Sequence, residues 1–300
     1  MDTAQARRGY GDAMSRVTVL GSVNMDQFFE VAALPEPGQT VLATAARTEP
    51  GGKGGNQAIA AARAGADVQL VAATGTDAHG EALREHLRCN DIRLDGAIEL
   101  PLPSGTAAIT VGAGPNSRAE NMIVVAPGAN AHLTVSSPTA RAAIGGCDVL
   151  LAQLEIPLPT VLAAARLAHA DGATVMVNAS PTGADPDLLA EIGSVTDVVI
   201  VNQSEAADWR WPVPHLVITR GAAGARYRTA DGEIDIPAPE VEPVDTTGAG
   251  DVFAGVLAAG WRDGPRKALH RAVTAGALAT LIPGAGDCAP RSEAIDDALN

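Results

Sequence analysis

The sequence has few cysteines, no long apolar run and too few bases to balance its acids, and each shortage excludes a class of protein. Its three cysteines, Cys89, Cys147 and Cys288, are odd in number and far apart, which fits neither a disulfide framework nor a Cys-x-x-Cys metal knuckle. They read as reduced thiols. No stretch approaches the ~18 uninterrupted apolar residues of a membrane span. Segment 1–15 carries Arg7, Arg8 and two aspartates without the apolar core of a secretory signal; it reads as a disordered leader, and the chain as cytoplasmic. With 21 Lys and Arg against 35 Asp and Glu, the formal net charge is −14, so duplexes and anionic membrane surfaces are repelled. Neither a nucleic-acid nor a membrane partner is expected. The six histidines form no pair at metal-ligand spacing beyond a weak i, i+7, and neither a repeat nor a low-complexity linker divides the chain.

What is present is a globular composition. Three hundred residues, 46% apolar and 19% charged, suffice for one large domain or two small ones. Arg16 to Leu20 is a β-branched run ending in glycine, as a buried strand meets a turn. Gln27 to Ala32 and Thr40 to Arg47 read as strands flanking a Pro-Glu-Pro-Gly turn. The glycine-rich run Gly51 to Gly55 reads as a loop opening a helix that ends at Gly65. Strand and helix then alternate: Val68 to Ala73, Glu81 to Cys89, Asp148 to Leu154, Leu158 to His169, Thr174 to Val177, Pro186 to Ile192, Val198 to Val201. That alternation predicts a mostly parallel sheet with helices on both faces. A second excursion is expected in Thr106 to Val111 and Met122 to Val125, about a turn at 112–116. A hairpin is expected about Asp231-Gly232, followed by packed helices over Asp251 to Trp261 and Pro265 to Leu281.

Chemistry concentrates in loops at strand ends. Asp245-Thr-Thr-Gly-Ala-Gly-Asp251 precedes an apolar helix, so small residues leave the first N–H groups bare where the helix dipole is positive. That makes an anion hole, although Asp251 alone also reads as an ordinary N-cap. Asn24 and Asp26 follow the first strand, and Lys53 and Asn56 belong to the glycine-rich run. Together they supply the donors and acceptors that a polyhydroxylated ligand needs, while each alone also fits a solvated turn.

These motifs, in this order, resemble the ribokinase family, the PfkB-type carbohydrate kinases, and are closest to the ribokinases proper. Gly51-Gly-Lys-Gly-Gly-Asn56 resembles one family signature and Asp245 to Asp251 the other. Gln153-Leu-Glu155, Asn202-Gln-Ser-Glu205 and Thr219-Arg-Gly221 fall between them in the family's order. The resemblance implies a Rossmann-like α/β domain over 16–300, with a β-sheet lid drawn from about 26–48 and 105–126. It implies transfer of the γ-phosphoryl of MgATP to the primary hydroxyl of a pentose, D-ribose before deoxyribose, fructose or a nucleoside. Asp251 would be the base, with Gly248, Ala249 and Gly250 offering N–H groups to the phosphoryl. Asn24, Asp26, Gly52, Lys53, Asn56, Glu155 and Asp251 would hold the sugar. Asn202, Thr219, Gly221, Gly248 and Gly250 would meet ATP, and Asn202 and Glu205 would position Mg²⁺ through water. Asp245 and Thr247, with the loop Gly284 to Cys288, resemble a monovalent-cation site for K⁺, and relatives dimerise through their lids.

Two departures stand out. Trp209 is followed by Arg210-Trp-Pro-Val-Pro-His215, where the family has a further helix and two prolines forbid one. Gly286-Asp-Cys288 also differs from the usual stretch. The first departure admits a non-catalytic sugar-binding relative as the alternative function. A dinucleotide-binding reading of Gly284 to Ala289 fails because no βαβ unit follows it, and Gly52-Lys53 lacks the Ser or Thr of a Walker loop.

Overall fold

The computed structural model describes residues 14–113 and 119–299, so most of the 1–15 leader and residues 114–116 of the expected 112–116 turn lie outside the described residues. In chain order the elements are β1 (Arg16–Leu20), β2 (Asn24–Ala33), β3 (Ala45–Gly51), α1 (Lys53–Arg63), β4 (Asp67–Val71), β5 (Ala73–Gly75), α2 (Ala78–Cys89), β6 (Ile98–Leu100), β7 (Gly105–Ala113) and β8 (Ala119–Ala126). There follow α3 (Pro138–Gly145), β9 (Val149–Gln153), α4 (Leu158–Ala170), β10 (Thr174–Asn178), α5 (Pro186–Gly193), β11 (Val198–Asn202), β12 (His215–Thr219), β13 (Ala225–Thr229), β14 (Gly232–Ile236), α6 (Ala249–Gly260), α7 (Pro265–Ala279) and α8 (Ser292–Leu299). No helix among the described residues is long and apolar enough to cross a membrane.

Eight strands form the main sheet in the order β14-β13-β12-β11-β10-β9-β1-β4. All pairs are parallel except β12–β13 and β13–β14. The middle strands carry aliphatic runs that are buried throughout, such as VLLA in β9 and VVIV in β11, as strands covered on both faces must. One apolar layer joins Val17, Val19 and Leu70 to residues of α1, α6 and α7. The other joins Leu20, Leu150 and Val175 to residues of α3 and α4. The chain goes one way from β1 to β4 and the other way from β9 onward, so the strand order reverses between β1 and β9. Ligands of open α/β sheets bind at the carboxyl ends of strands beside such a reversal. The segments that follow β1 and β9, Gly21 to Asp26 and Leu154-Glu155, are therefore the first places to look.

A second sheet, β3-β2-β7-β8, grows out of that end. The strand expected over Thr40 to Arg47 begins instead at Ala45 and runs to Gly51, pairing antiparallel with β2 so that Gly51 faces Asn24. Its Thr and Val residues suit a strand, but the ladder with β2 overrides local preference. The run Gly51 to Gly55 is likewise not a free loop: α1 starts at Lys53, Gly52 takes φ 88° and Gly55 N–H donates to Ser22 O. The glycines are there for contact. A Cβ on Gly54 would stand 2.6 Å from the Gly21 carbonyl carbon, and one on Gly51 would stand 2.1 Å from Asp26 Oδ2. Two short strands, β5 and β6, and the helices α3 and α8 were not expected from the sequence. Between Trp209 and His215 no helix forms, and Trp209 packs edge-on to Trp211 instead.

Candidate active site

The N-terminus of α6 is built as an unfilled donor site. Gly248 takes φ 76°, where L side chains are strained, and a Cβ on it would lie 2.2 Å from the Ala285 carbonyl oxygen. The N–H groups of Gly248, Gly250 and Asp251 carry no hydrogen bond among the described residues, and Ala249 N reaches Thr246 O only at 3.4 Å. Gly250 borders open space. Bare N–H groups on the positive end of a helix dipole attract an anion. Asp251 is not the N-cap that its position also suggested: it stands in the first turn without a capping bond. Its carboxylate instead accepts from Asn56 Nδ2 at 3.0 Å and Gln57 Nε2 at 2.9 Å, both on α1.

On one side of this helix start lies a cavity of about 740 Å³, lined by Thr219, Gly221, Ala249 and Gly250 and by the segment Ala238 to Pro243. Its floor includes Phe253, Ala277 and Thr280. An apolar cleft of several hundred Å³ with few polar groups suits a base and ribose, with the bare N–H groups at its inner end. Thr219 is tied by its hydroxyl to Val201 O at 3.3 Å. Asn202 and Glu205 lie outside the lining residues. They hold each other: Asn202 N donates to Glu205 Oε2 at 2.8 Å, and Glu205 N donates to Asn202 Oδ1 at 2.9 Å.

On the other side is a cluster of acids. Asp26 is buried, and its Oδ1 has no hydrogen-bond partner among the described residues. Burial, then the charges of Glu155, Asp251 and Glu49, push its carboxyl up to about 7. Glu155 accepts from Ser22 Oγ at 2.6 Å. Asn24 Oδ1 accepts from Asn130 Nδ2 at 2.9 Å, and Asn130 also clips both backbone groups of Val23. Lys53 faces these acids; Asp251 above all, then Glu155 and Glu205, hold its ammonium above the ordinary lysine range against the cost of burial. Gly52 lies buried against the backbone of Ser22 to Asn24. Asn24, Asp26, Lys53, Asn56, Glu155 and Asp251 thus come together from both ends of the chain.

Asp245 is used as a clip. Its Oδ1 accepts from Thr247 N at 2.9 Å and its Oδ2 from Gly284 N at 3.2 Å. Burial pushes its pKa up, but these bonds outweigh that and hold it below the usual carboxylate value. Nearby, Cys288 Sγ donates to Ala285 O at 3.0 Å, and burial pushes its thiol up to about 11. Among the described residues no group of three or more His, Cys, Asp or Glu converges as a metal cage. The sequence reading missed Gln57, Asn130 and Asn178 as site-building residues; an amide next to Asn56 and an Asn ending a buried strand were the available signals.

Residues 14–211 and 212–292 match the model of the pfkB family carbohydrate kinases. A ribokinase of Bacillus subtilis (strain 168) is 35% identical over 302 residues, covering 96% of this chain and 100% of that protein. A bifunctional ribokinase/ribose-5-phosphate isomerase A of Fructilactobacillus sanfranciscensis is 32% identical over 312 residues, covering 96% of this chain; the chain spans 56% of that longer protein. A solved ribokinase of Cryptococcus neoformans var. grubii, in complex with ADP, is 30% identical with a TM-score of 0.82, covering 94% of this chain and 99% of that one.

Proposed function

The chain belongs to the pfkB family of carbohydrate kinases, and from that membership we propose that it phosphorylates D-ribose at its primary hydroxyl with ATP. It is an ATP-dependent kinase acting on a sugar hydroxyl. The observation that carries the reading is the position of the α6 N-terminus between the 740 Å³ cavity and the acid cluster. In this reading ATP occupies the cavity, with Thr219 and Gly221 beside its phosphates. The N–H groups of Gly248, Ala249 and Gly250 receive the charge that develops on the transferred phosphoryl. Asn24, Asp26, Gly52, Lys53, Asn56 and Glu155 hold the sugar. Asp251 accepts the proton of the attacking hydroxyl. Phosphoryl transfer needs little covalent chemistry, so orientation and preorganised donors supply most of the acceleration.

Two cations belong to the proposal. Mg²⁺ keeps several waters and rides on substrate phosphates rather than in an all-protein cage. Glu205, with Asn202, would hold it through water, and its chemistry is to neutralise phosphate charge. K⁺ would be held by Asp245 and Thr247, since the clipped carboxylate keeps unshared lone pairs and stays ionised. Work on free ATP and sugar fits the cytoplasm.

We also propose a homodimer through the second sheet. Met122, Ile123, Val124 and Val125 are all exposed on the edge strand β8, and an apolar edge invites strand pairing. Val124→Lys is expected to convert a dimer to a monomer by light scattering; an unchanged mass would place the contact elsewhere.

The test of function is an ADP-release assay with MgATP and K⁺ across ribose, deoxyribose, fructose and nucleosides. Turnover is expected with ribose. No turnover with any acceptor, beside a ribose-induced rise in Tm, would replace the kinase by a sugar binder.

A further inference from the structure

We propose that Gln57 is the positioning residue for Asp251: its side-chain amide, locked by Gln153 and Asn178, keeps the carboxylate in one orientation during transfer. This rests on reading Asp251 as the base and adds a group that reading does not contain.

The lock is a directed chain of amides. Asn178 Nδ2 donates to Ile200 O at 3.2 Å, which turns Asn178 Oδ1 toward Gln57. Gln57 Nε2 donates one hydrogen to that oxygen at 3.0 Å and the other to Asp251 Oδ1 at 2.9 Å. Gln153 Nε2 donates to Gln57 Oε1 at 2.6 Å. Both hydrogens and the oxygen of Gln57 are then engaged. A flipped amide would set Oε1 against two acceptors and its NH₂ against a donor. Gln153 is held by this bond and by packing: its Oε1 has no hydrogen-bond partner among the described residues and lies against Gly21, where a Cβ would stand 1.8 Å away. Gln57 and Gln153 are fully buried, and the chain joins α1, β9, β10 and α6, all rigid elements.

Asn56 is built differently. Its Nδ2 holds Asp251 Oδ2, but its Oδ1 carries no hydrogen bond among the described residues. Asn56, buried like Gln57, thus keeps an unused acceptor to offer a sugar hydroxyl, and Gln57 has none. The carboxylate therefore keeps one fully engaged donor on Oδ1, while its donor on Oδ2 can also meet the substrate. A small misplacement of a reacting group costs up to about 100-fold.

The test is Gln57→Met, which keeps length and volume but donates nothing. Two readouts are expected: kcat falls about 10–100-fold, and sugar KM stays within about threefold. A loss of kcat with a parallel rise in KM is what general loosening produces, and it would overturn the proposal. Should Gln57→Met not fold by circular dichroism, Gln153→Met removes only the outer lock. It is expected to lower kcat in the same direction and less strongly, again at an unchanged KM, and a wild-type kcat there would overturn the proposal equally. Asp251→Asn run alongside separates the two ideas. An inactive Asp251→Asn with a wild-type-like Gln57→Met sinks the role of Gln57 alone, whereas an active Asp251→Asn removes the base and Gln57's role with it.

Discussion

Asp251→Asn is expected to lower kcat by about 10²–10⁴-fold, the range of a general base, while sugar affinity changes only a few-fold. The amide keeps the shape of the carboxylate and loses its capacity to take a proton. Local geometry tells where the new NH₂ group goes. Asp251 accepts on both oxygens, from Gln57 on Oδ1 and Asn56 on Oδ2, so one of the two donors must face another donor. Gln57 is held by Gln153 and Asn178, so the variant will place its oxygen toward Gln57 and its NH₂ toward Asn56, whose own amide can flip to present its oxygen. Folding should therefore survive. Steady-state kinetics with isothermal titration of the sugar checks both halves, and turnover within threefold of wild type would show that another group takes the proton.

Much of the fold was legible because parallel strands buried on both faces must be apolar over nearly their whole length, as VLLA in β9 and VVIV in β11 are, with helix-forming runs between them. α3 escaped because its eight residues open on Ser137-Pro138-Thr139, which reads as a turn until Ser137 is seen to cap the helix by accepting from Ala140 N. β3 was misplaced because propensity favours Thr40 to Arg47, whereas the pairing of Asn24 with Gly51 sets the register. The site divides in the same way. Residues within a motif could be found by their neighbours in sequence. Partners brought from afar could not: Asn56 and Asp251 are 195 residues apart, and Gln57 and Asn178 are 121 apart. Local chemistry says that each is polar, but only the sheet reversal between β1 and β9 says that they meet.

Asp26 is where binding and stability pull against each other, and Asp26→Asn should separate them. Burial, with the charges of Glu155, Asp251 and Glu49, holds its carboxyl at about 7 against an ordinary 3.8. The folded protein thus keeps a proton that the unfolded chain releases. No stability is lost below pH 3.8; it falls as pH rises toward 7, and above that the full penalty of about 4 kcal/mol applies. Asp26→Asn is therefore expected to melt several degrees higher than wild type at pH 8 and at nearly the same temperature at pH 4. Sugar hydroxyls donate to the ionised form, so wild-type affinity should rise about tenfold from pH 6 to pH 8 as the ionised fraction grows. In Asp26→Asn that dependence disappears and sugar affinity drops about 10–100-fold, the loss of hydrogen bonds to a charged acceptor, while ATP affinity is unchanged. Calorimetric melting at pH 4 and 8 and isothermal titration at pH 6, 7 and 8 give both readings. A pH-dependent sugar affinity that persists in Asp26→Asn would assign the titration to another acid, and equal losses for sugar and ATP would take Asp26 off the sugar side.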